Sequence, residues 1–416
     1  MKILTISNLY PRPDNPTLGM FNAQLFREME AQLRRCPVSP TAQNSELRTQ
    51  NSQLTNICIV PEWRVCRWSS IRRWMAPDTG KAVSTRYLPV FYLPVVGRNW
   101  SGWTYERSLG QVLDSIGQSD VVYSTWLYPD GVAVANAAAS VGVASWIMVM
   151  GSDTFHLQVP ARRRAILDAC EKAEGLICVC RTLANRLIEA GVAAGKVHVV
   201  PNGVDSSVFH HRDKERAANE LPSEVTDPKW LCPVLDGSAQ LVLFVANLVP
   251  VKAPDVMIES FVELQDALGS MRDHKPVHLL FIGDGPMRSK IQAEVRNGGL
   301  EENVHFIGKR PHKEVALWMN VADCLCLCSS NEGMPNAVLE ALASGLPVAA
   351  TDVGACREML EQEQYGRVSP VNDPGAMASL LGEILNMDTD RATMAARHGK
   401  RDWSDQAMDI LSLLGE

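Results

Sequence analysis

The sequence predicts an α/β protein built from two doubly wound domains. Short apolar runs alternate with amphipathic stretches over nearly the whole chain, which is typical of parallel sheets covered by helices on both faces. The alternation occurs in two series, and a polar, turn-rich segment over residues 201–240 separates them. With 416 residues, 46% of them hydrophobic, the chain can bury the cores of two domains.

The first series predicts strands over residues 2–7, 57–60, 121–124, 145–150 and 175–179, with helices beginning near Phe21, Asp130, Ala161 and Thr182. The second series predicts strands over residues 241–246, 277–282, 304–307, 324–328 and 347–350. We therefore expect a first domain over residues 1–200 and a second over residues 201–388. The helical stretch over residues 389–416 lies outside the alternation, and we expect it to cross back to the first domain.

Charge and composition limit the classes of partner. The net charge is −7, so the chain has no general attraction to phosphates and nucleic acid is not an expected partner. The apolar run after Met1 is too short for a signal peptide, and no run suits a membrane span, which predicts a cytoplasmic protein. The cysteines at positions 324, 326 and 328 alternate as on a strand, and we expect them to share one face of the core.

Two segments of the first half stand apart from the alternation. Residues 37–55 are rich in Ser, Thr, Gln and Asn and predict a loop. Residues 63–74 combine three Trp with four Arg. One interpretation is peripheral contact with the anionic inner face of a membrane; the other is a solvated loop whose Trp side chains pack inward.

Carboxylates follow the strand predicted at residues 324–328, where ligands of open α/β sheets bind. Pro335 is placed to open a helix whose N-terminus can hold a diphosphate. Glu332 precedes this helix and Glu340 lies within it. They can serve separate hydroxyls, Glu332 that of a sugar and Glu340 that of a ribose; the alternative is a capping carboxylate and a solvated helix residue.

The segment from Glu332 through Glu340 to Gly354 closely resembles the E-x7-E signature of the family 4 retaining glycosyltransferases. Three further segments resemble family motifs in the same order: residues 8–19 its first glycine loop, residues 199–205 its interdomain strand and turn, and residues 283–286 its second glycine loop. The resemblance extends from Lys2 to about Trp403 and is strongest to members that build surface or exopolysaccharides.

This resemblance implies a GT-B architecture of two Rossmann-like domains facing a cleft, with the nucleotide sugar held mainly by the second. It implies catalytic roles for Glu332, Lys252 and Asp153. The donor-binding residues that it implies are Gly19, Asn247, Gly283, Gly285, Arg310, Gly333, Met334, Pro335, Asn336 and Glu340. The expected partners are a nucleotide sugar and a glycan or lipid-linked acceptor.

Two positions depart from the family. Asn247 stands where an Arg commonly precedes Lys252, so stabilisation of the leaving group falls more heavily on Lys252. Met150 stands where His or Arg often precedes the segment of Asp153, which leaves Asp153, and His156 beside it, to orient an acceptor. The structural alternatives are a solvated Lys252, an Asp153 that caps the next turn, and glycines that only form strand-to-helix turns.

We expect no cofactor and no divalent metal, because the nucleotide sugar is a substrate and charge and hydrogen bonds can stabilise its departure. The D-x-D of residues 388–390 lies between two helices, where Thr389 or Asp390 suits an N-cap better than a magnesium ligand. Two other functions stay open. One is a nucleotide-sugar 2-epimerase of similar architecture, and the other is a degraded sugar-nucleotide-binding protein, suggested by Met150 and Asn247.

Overall fold

The computed structural model describes residues 1–12, 19–35, 53–62, 83–91, 101–226, 228–269, 274–360 and 363–415. These residues form two compact units. Unit 1 comprises Met1–Gly203 with Trp403–Glu416, and unit 2 comprises Val204–Asp402. Each contains a parallel sheet with helices, so the predicted α/β class with two doubly wound domains is confirmed. Within the described residues, no helix is long and apolar enough to span a membrane.

Unit 1 has a seven-stranded parallel sheet in the order β3-β2-β1-β4-β5-β6-β7. Its strands are β1 (Lys2–Ser7), β2 (Gln53–Glu62), β3 (Ser84–Phe91), β4 (Val121–Ser124), β5 (Ala144–Val149), β6 (Gly175–Cys178) and β7 (Val197–Val199). Its helices are α1 (Met20–Arg35), α2 (Ser101–Leu109), α3 (Leu113–Gly117), α4 (Val132–Ser140), α5 (Pro160–Lys172), α6 (Arg181–Glu189) and, at the C-terminus, α16 (Trp403–Gly415).

Unit 2 has a six-stranded parallel sheet in the order β10-β9-β8-β11-β12-β13. Its strands are β8 (Gln240–Val245), β9 (Val277–Ile282), β10 (Val304–Gly308), β11 (Cys324–Leu327), β12 (Val348–Thr351) and β13 (Gly366–Ser369). Its helices are α7 (Lys214–Asn219), α8 (Pro228–Leu235), α9 (Pro254–Gly269), α10 (Arg288–Asn297), α11 (His312–Val321), α12 (Asn336–Ala343), α13 (Cys356–Met359), α14 (Pro374–Leu385) and α15 (Arg391–His398).

Along the central strands of unit 2, successive apolar side chains enter the hydrophobic cores on opposite faces of the sheet. Leu325 and Leu327 enter one core, while Cys324, Cys326 and Cys328 enter the other. The expectation that the three cysteines share a face is therefore confirmed. The sulfurs of Cys326 and Cys328 lie 3.6 Å apart in this core.

The polar segment over residues 201–240, which separates the two predicted series of strands, is itself folded. From Val204 onward it belongs to unit 2 and forms α7 and α8. Its scattered apolar residues, among them Phe209 and Trp230, enter the unit 2 core. Isolated apolar residues without a helical or strand period conceal such burial in a sequence.

The C-terminal stretch over residues 389–416, predicted to be helical and to cross back to the first domain, forms two helices and divides between the two units. Helix α15 belongs to unit 2, whereas α16 belongs to unit 1. Helix α16 packs against α1, where the rings of Phe21 and Trp403 contact edge to face with centroids 4.7 Å apart. The boundary between the units follows Gly203, three residues beyond the predicted one.

Strand predictions on residues 2–7, 121–124 and 277–282 coincide with β1, β4 and β9. Two predictions on the first half are wrong or incomplete: β2 begins at Gln53, inside the predicted loop over residues 37–55, and β3 was not predicted. The other residues of that loop, apart from 53–55, lie outside the described residues, as does the Trp- and Arg-rich stretch over residues 63–74.

Candidate active site

The polar loops of unit 2 gather where the strand order of its sheet reverses. The chain runs outward from β8 through β9 to β10 and then returns to β11 on the opposite side of β8. The loops that follow β8 and β11 consequently leave the sheet side by side, at the position where open α/β sheets bind ligands. The N–H of Ser330 donates to the carbonyl of Val251 at 2.9 Å and joins the two loops.

Lys252 and Glu332 form an ion pair at this position. Lys252 ends a short 3₁₀ turn, Pro250–Lys252, after β8, and Glu332 lies in the loop between β11 and α12. The Lys252 Nζ contacts the Oε1 of Glu332, and the two side chains keep 26% and 12% of their surface exposed. The structure therefore brings together two of the three residues predicted as catalytic, and leaves part of each accessible to a ligand.

Ser329 and Thr351 hold Glu332 in place, and sequence reasoning did not identify their role. The buried Ser329 hydroxyl donates to the same Oε1 oxygen of Glu332 at 2.6 Å. The buried Thr351 hydroxyl donates in turn to the backbone carbonyl of Ser329 at 2.6 Å. The contacts that Lys252 and Ser329 make with the Glu332 carboxylate both fall on Oε1, so Oε2 accepts neither of them. The only sequence signal was the position of Ser329 three residues before Glu332.

The predicted helix after β11 is confirmed as α12, with Pro335 as its buried N-cap residue. Met334 and Asn336 flank Pro335 and are half-buried. Gly333 is buried, and its carbonyl accepts a 2.7 Å hydrogen bond from the N–H of Ala355 in the loop after β12. Residues 333–336 thus form a fixed connection between Glu332 and the first turn of α12.

Glu340 lies in α12 and is half-buried. Desolvation raises the pKa of its carboxyl from 4.5 to about 8. At neutral pH the ligand-free protein therefore holds Glu340 largely protonated. A carboxyl kept in such a place costs stability, and perturbed groups of this kind concentrate at functional sites.

The two glycines predicted to contact the donor fit closely against the loop after β8. Gly283 follows β9 with φ +144°, and a Cβ atom there would lie 1.8 Å from the carbonyl oxygen of Ala246. The N–H of Gly285 donates to the side chain of Asp284 at 2.8 Å. The backbone at residue 283 lies so close to that of Ala246 that only glycine fits there, whether or not a nucleotide is bound. Asn247 is exposed in the same loop.

Arg310 is half-buried after β10 and is bound to its own loop. Its Nε and Nη2 donate to the carbonyl of Ile307 at 2.9 and 2.6 Å, and Nη1 lies 3.8 Å from the carboxylate of Glu314. A role for Arg310 in donor binding would require a change of these contacts.

Unit 1 has its own reversal of strand order, between β1 and β4. Gly19 lies before α1 with φ +60°, and a Cβ atom there would lie 2.3 Å from the carbonyl of Leu9. Asn22 joins the loops of both strands, because its Nδ2 donates to the Leu9 carbonyl at 2.7 Å and to the Thr125 hydroxyl at 3.0 Å. Close packing of the backbone against Leu9 is therefore sufficient to require glycine at position 19, even without a bound phosphate.

Asp153, which was predicted to orient an acceptor, is enclosed by backbone N–H groups of unit 1. It is fully buried. Its Oδ1 accepts from the N–H of Gly151 at 2.7 Å, and its Oδ2 accepts from those of Leu127 at 3.0 Å and Met150 at 3.3 Å. Burial raises the pKa of this carboxyl. Asp153 thus holds the loops after β4 and β5 together, and its side chain does not cap the turn that follows, which the structural alternative had expected.

Asp130, which the sequence did not single out, is a second buried carboxylate of this edge. Its Oδ2 accepts a 2.7 Å hydrogen bond from the N–H of Asn8 after β1, and burial raises its pKa to about 7. His156, three residues after Asp153, is half-buried, and its Nδ1 lies 2.8 Å from Nη1 of Arg162. Met150 is also half-buried.

The D-x-D of residues 388–390 is used as a helix cap. The Asp390 side chain accepts from the N–H of Thr393 at 3.0 Å and begins α15, so the predicted N-cap is confirmed. Over the described ranges, His, Cys, Asp and Glu side chains form no group of three or more that could hold a metal ion.

Two family models match the sequence over most of its length. The model for glycosyl transferases group 1 matches residues 233–401, and the model for glycosyltransferase family 4 matches residues 72–208. A D-inositol 3-phosphate glycosyltransferase of Jonesia denitrificans is 29% identical over 52% of this chain and 51% of its own length. The chain thus spans about half the length of that relative.

TuaC of Bacillus subtilis, a glycosyltransferase assigned to teichuronic acid biosynthesis, is 26% identical over 89% of this chain and 86% of its own. Among solved structures, HepE of Anabaena in complex with UDP has a TM-score of 0.70 with 16% identity and full coverage of both chains. Sucrose-phosphate synthase of Thermosynechococcus elongatus has a TM-score of 0.68 with 16% identity, covering 99% of this chain and 98% of its own.

The likeness to the solved structures shows that the chain has the GT-B fold of glycosyltransferases. More particularly, the chain belongs to glycosyltransferase family 4, as the two models show, which together match residues 72–208 and 233–401.

Proposed function

We propose that the chain is a retaining glycosyltransferase that moves a sugar from a nucleotide-diphosphate donor to a glycan or lipid-linked acceptor in surface or exopolysaccharide synthesis. The observation that carries the proposal is the ion pair of Lys252 and Glu332 at the reversal of the unit 2 sheet. It holds a cation and an oriented carboxylate beside each other where such sheets receive nucleotides.

Lys252 is the group that stabilises the leaving nucleotide diphosphate. When the glycosidic bond to the donor breaks, negative charge develops on the diphosphate, and a fixed ammonium lowers the energy of that state. Asn247 carries no charge, so Lys252 supplies this stabilisation from the loop after β8. A diphosphate that enters the site takes over part of the contact that Glu332 makes in the ligand-free protein.

Glu332 binds a hydroxyl of the donor sugar. The contacts from Lys252 and Ser329 fall on its Oε1, and its Oε2 is the oxygen that accepts the sugar hydroxyl. Glu340, protonated near neutral pH, binds the ribose. Positioned charge and hydrogen bonds of this kind are sufficient for attack on the same face as the leaving group, without a covalent nucleophile or a divalent metal.

The donor and acceptor classes rest on the relatives. The structure of HepE contains UDP, which makes UDP sugars the first donors to test. TuaC is named for teichuronic acid biosynthesis, which supports a surface polymer as the product. A cytoplasmic location with peripheral access to the inner face of the membrane would bring a soluble donor to a lipid-linked acceptor.

The test is a transfer assay with UDP, GDP and ADP sugars and a panel of glycan and lipid-linked acceptors, with and without EDTA. We expect free nucleotide diphosphate and a glycosylated product of retained anomeric configuration, in equal amounts and unaffected by EDTA. An epimerised sugar nucleotide would instead identify a 2-epimerase. Tight donor binding without turnover on any acceptor would identify a degraded binding protein.

A further inference from the structure

A groove in unit 1, remote in sequence from the candidate donor site, has a volume of about 610 Å³. One wall is a single face of α5, whose lining residues recur at spacings of three and four: Pro160, Arg163, Arg164, Leu167, Asp168 and Glu171. The other wall is formed by residues 191–193 and by Lys196. From Pro160 to Glu171 the helix rises through eleven steps of about 1.5 Å, which makes the groove about 16 Å long and suits an extended ligand.

The base of the groove is apolar and its rim is charged. Cys170 and Val192 line it and keep only 2% and 6% of their surface exposed, and Leu167 is half-buried. Arg163 and Arg164, by contrast, are exposed. A ligand that fills this groove therefore places an apolar portion at the base and a charged portion at the rim.

Two of the three rim cations, Lys196 and Arg163, are held by backbone carbonyl groups. The Lys196 Nζ donates to the backbone carbonyls of Glu171 and Ala173, both at 2.6 Å, and the Arg163 Nη2 donates to the carbonyl of Ala190 at 3.0 Å. A carbonyl carries no net charge, so these bonds fix the positions of the cations and leave their charge uncompensated.

The lining carboxylates do not cancel this charge. Asp168 forms an ion pair with Lys172 at 3.0 Å. Glu171 remains as the counter-charge to the three cations Arg163, Arg164 and Lys196. The groove thus combines an apolar base with an excess of positive charge.

We propose that this groove binds an amphipathic phosphate monoester, with its alkyl chain along the apolar base and its phosphate at Arg163, Arg164 and Lys196. Guanidinium groups bind phosphate oxygens through paired hydrogen bonds, and each methylene removed from water adds to the affinity. The site lies within unit 1, and its occupation does not depend on the proposed transfer reaction.

Octyl phosphate is the probe, and its binding to the full chain is measured by titration calorimetry below its micelle concentration. We expect octyl phosphate to bind at least about tenfold more tightly than inorganic phosphate, which two buried methylene groups supply. Octyltrimethylammonium, which has the same chain and the opposite charge, binds more weakly than octyl phosphate. Equal affinity for octyl phosphate and either comparator would overturn the proposal.

Two opposite charge changes locate the site. Arg164→Gln removes a rim cation and weakens binding about two- to fivefold, while Glu171→Gln removes the counter-charge and tightens it by a similar factor. Arg296 is an exposed residue of α10 in unit 2. The control Arg296→Gln makes the same change in net charge as Arg164→Gln and leaves the affinity unchanged. Unchanged affinity in both groove variants would overturn the proposal.

A fourth variant separates the groove from the donor site, since a phosphate can also bind beside Lys252. Octyl phosphate affinity persists in Lys252→Met if the groove is the site, and its loss there would overturn the proposal. Because the readout is binding, a failure of the groove is distinct from a failure of the proposed transfer. Binding only to anionic vesicles, with none of monomeric octyl phosphate, would equally contradict a site for a single molecule.

Discussion

Replacing Glu340 by Gln should stabilise the protein near neutral pH and weaken donor binding. The wild-type carboxyl has a pKa of about 8 against an ordinary 4.5. At pH 7 it is ionised in the unfolded chain and largely protonated in the folded protein, and this difference opposes folding. The amide of the variant has a similar shape and no ionisable group, so the opposing free energy disappears.

The magnitude follows from the shift in pKa. Between 4.5 and pH 7 there are two and a half pH units, each equivalent to about 1.4 kcal/mol, which gives about 3 kcal/mol. Glu340 is half-buried rather than fully buried, so retained water reduces this figure. We therefore expect Glu340→Gln to raise the free energy of unfolding by about 1 to 3 kcal/mol at pH 7.

The effect of Glu340→Gln on stability should depend on pH. A folded-state pKa above the unfolded one contributes stability that is fully present below pH 4.5 and is lost as pH rises through about 8. The advantage of Glu340→Gln should therefore be small near pH 5 and grow towards pH 8. Urea denaturation at a series of pH values measures it, with Glu259→Gln, an exposed residue of α9, as control.

Two outcomes would contradict this reasoning. A stability difference that does not change between pH 5 and pH 8 would show that Glu340 titrates normally. Unaltered donor affinity in Glu340→Gln would show that donor binding does not require an ionisable carboxyl at this position. A variant that gains stability and loses affinity is expected where a functional group is kept at a cost to folding.

Four further results are expected. Lys252→Met and Glu332→Gln should each lower kcat at least tenfold. The double variant should lower kcat little more than either single variant does, whereas additive losses in a double-mutant cycle would show that the two residues act independently. Ser329→Ala should lower kcat about tenfold by removing a 2.6 Å donor from Glu332, while Ser329→Thr keeps the hydroxyl and most activity; equal loss in both would contradict positioning. Gly283→Ala should cost at least about 2 kcal/mol in urea denaturation, since its Cβ would lie 1.8 Å from a carbonyl oxygen, and a cost below about 0.5 kcal/mol would refute that clash. Asp153→Ala should lower the free energy of unfolding by about 3 kcal/mol in urea denaturation, because three N–H groups lose their acceptor. Normal stability together with lost transfer would instead support a role of Asp153 in orienting the acceptor.

The central strands could be read from the sequence because they are buried on both faces. β1, β4 and β9 are mostly apolar and buried along almost their whole length, and such strands occur where helices cover both faces of a parallel sheet. The edge strands β3 and β13 were missed for the opposite reason. β3 contains Pro89 and several polar residues, and β13 has only four residues, GRVS, patterns that edge positions tolerate.

The candidate site was predictable as a set of loops, since the residues that follow parallel strands meet at one edge. The contact between Lys252 and Glu332 was not predictable by spacing, because 80 residues separate them and the order of strands decides which loops become neighbours. The position of Ser329 under Glu332 likewise depends on the path of the backbone after β11.

By itself, the sequence determined the α/β class, the two series of strands, the family and the loops that bear the polar residues, because hydrophobic period and local motifs are properties of consecutive residues. Tertiary structure alone decided which charges pair, which carboxylates lose their water, and which apolar residues of the polar segment enter a core. Asp153 and Glu332 look alike as loop carboxylates, yet one is enclosed by three backbone N–H groups and the other stays partly open. Desolvation and pairing depend on neighbours distant in the chain, and only the folded arrangement of strands supplies those neighbours.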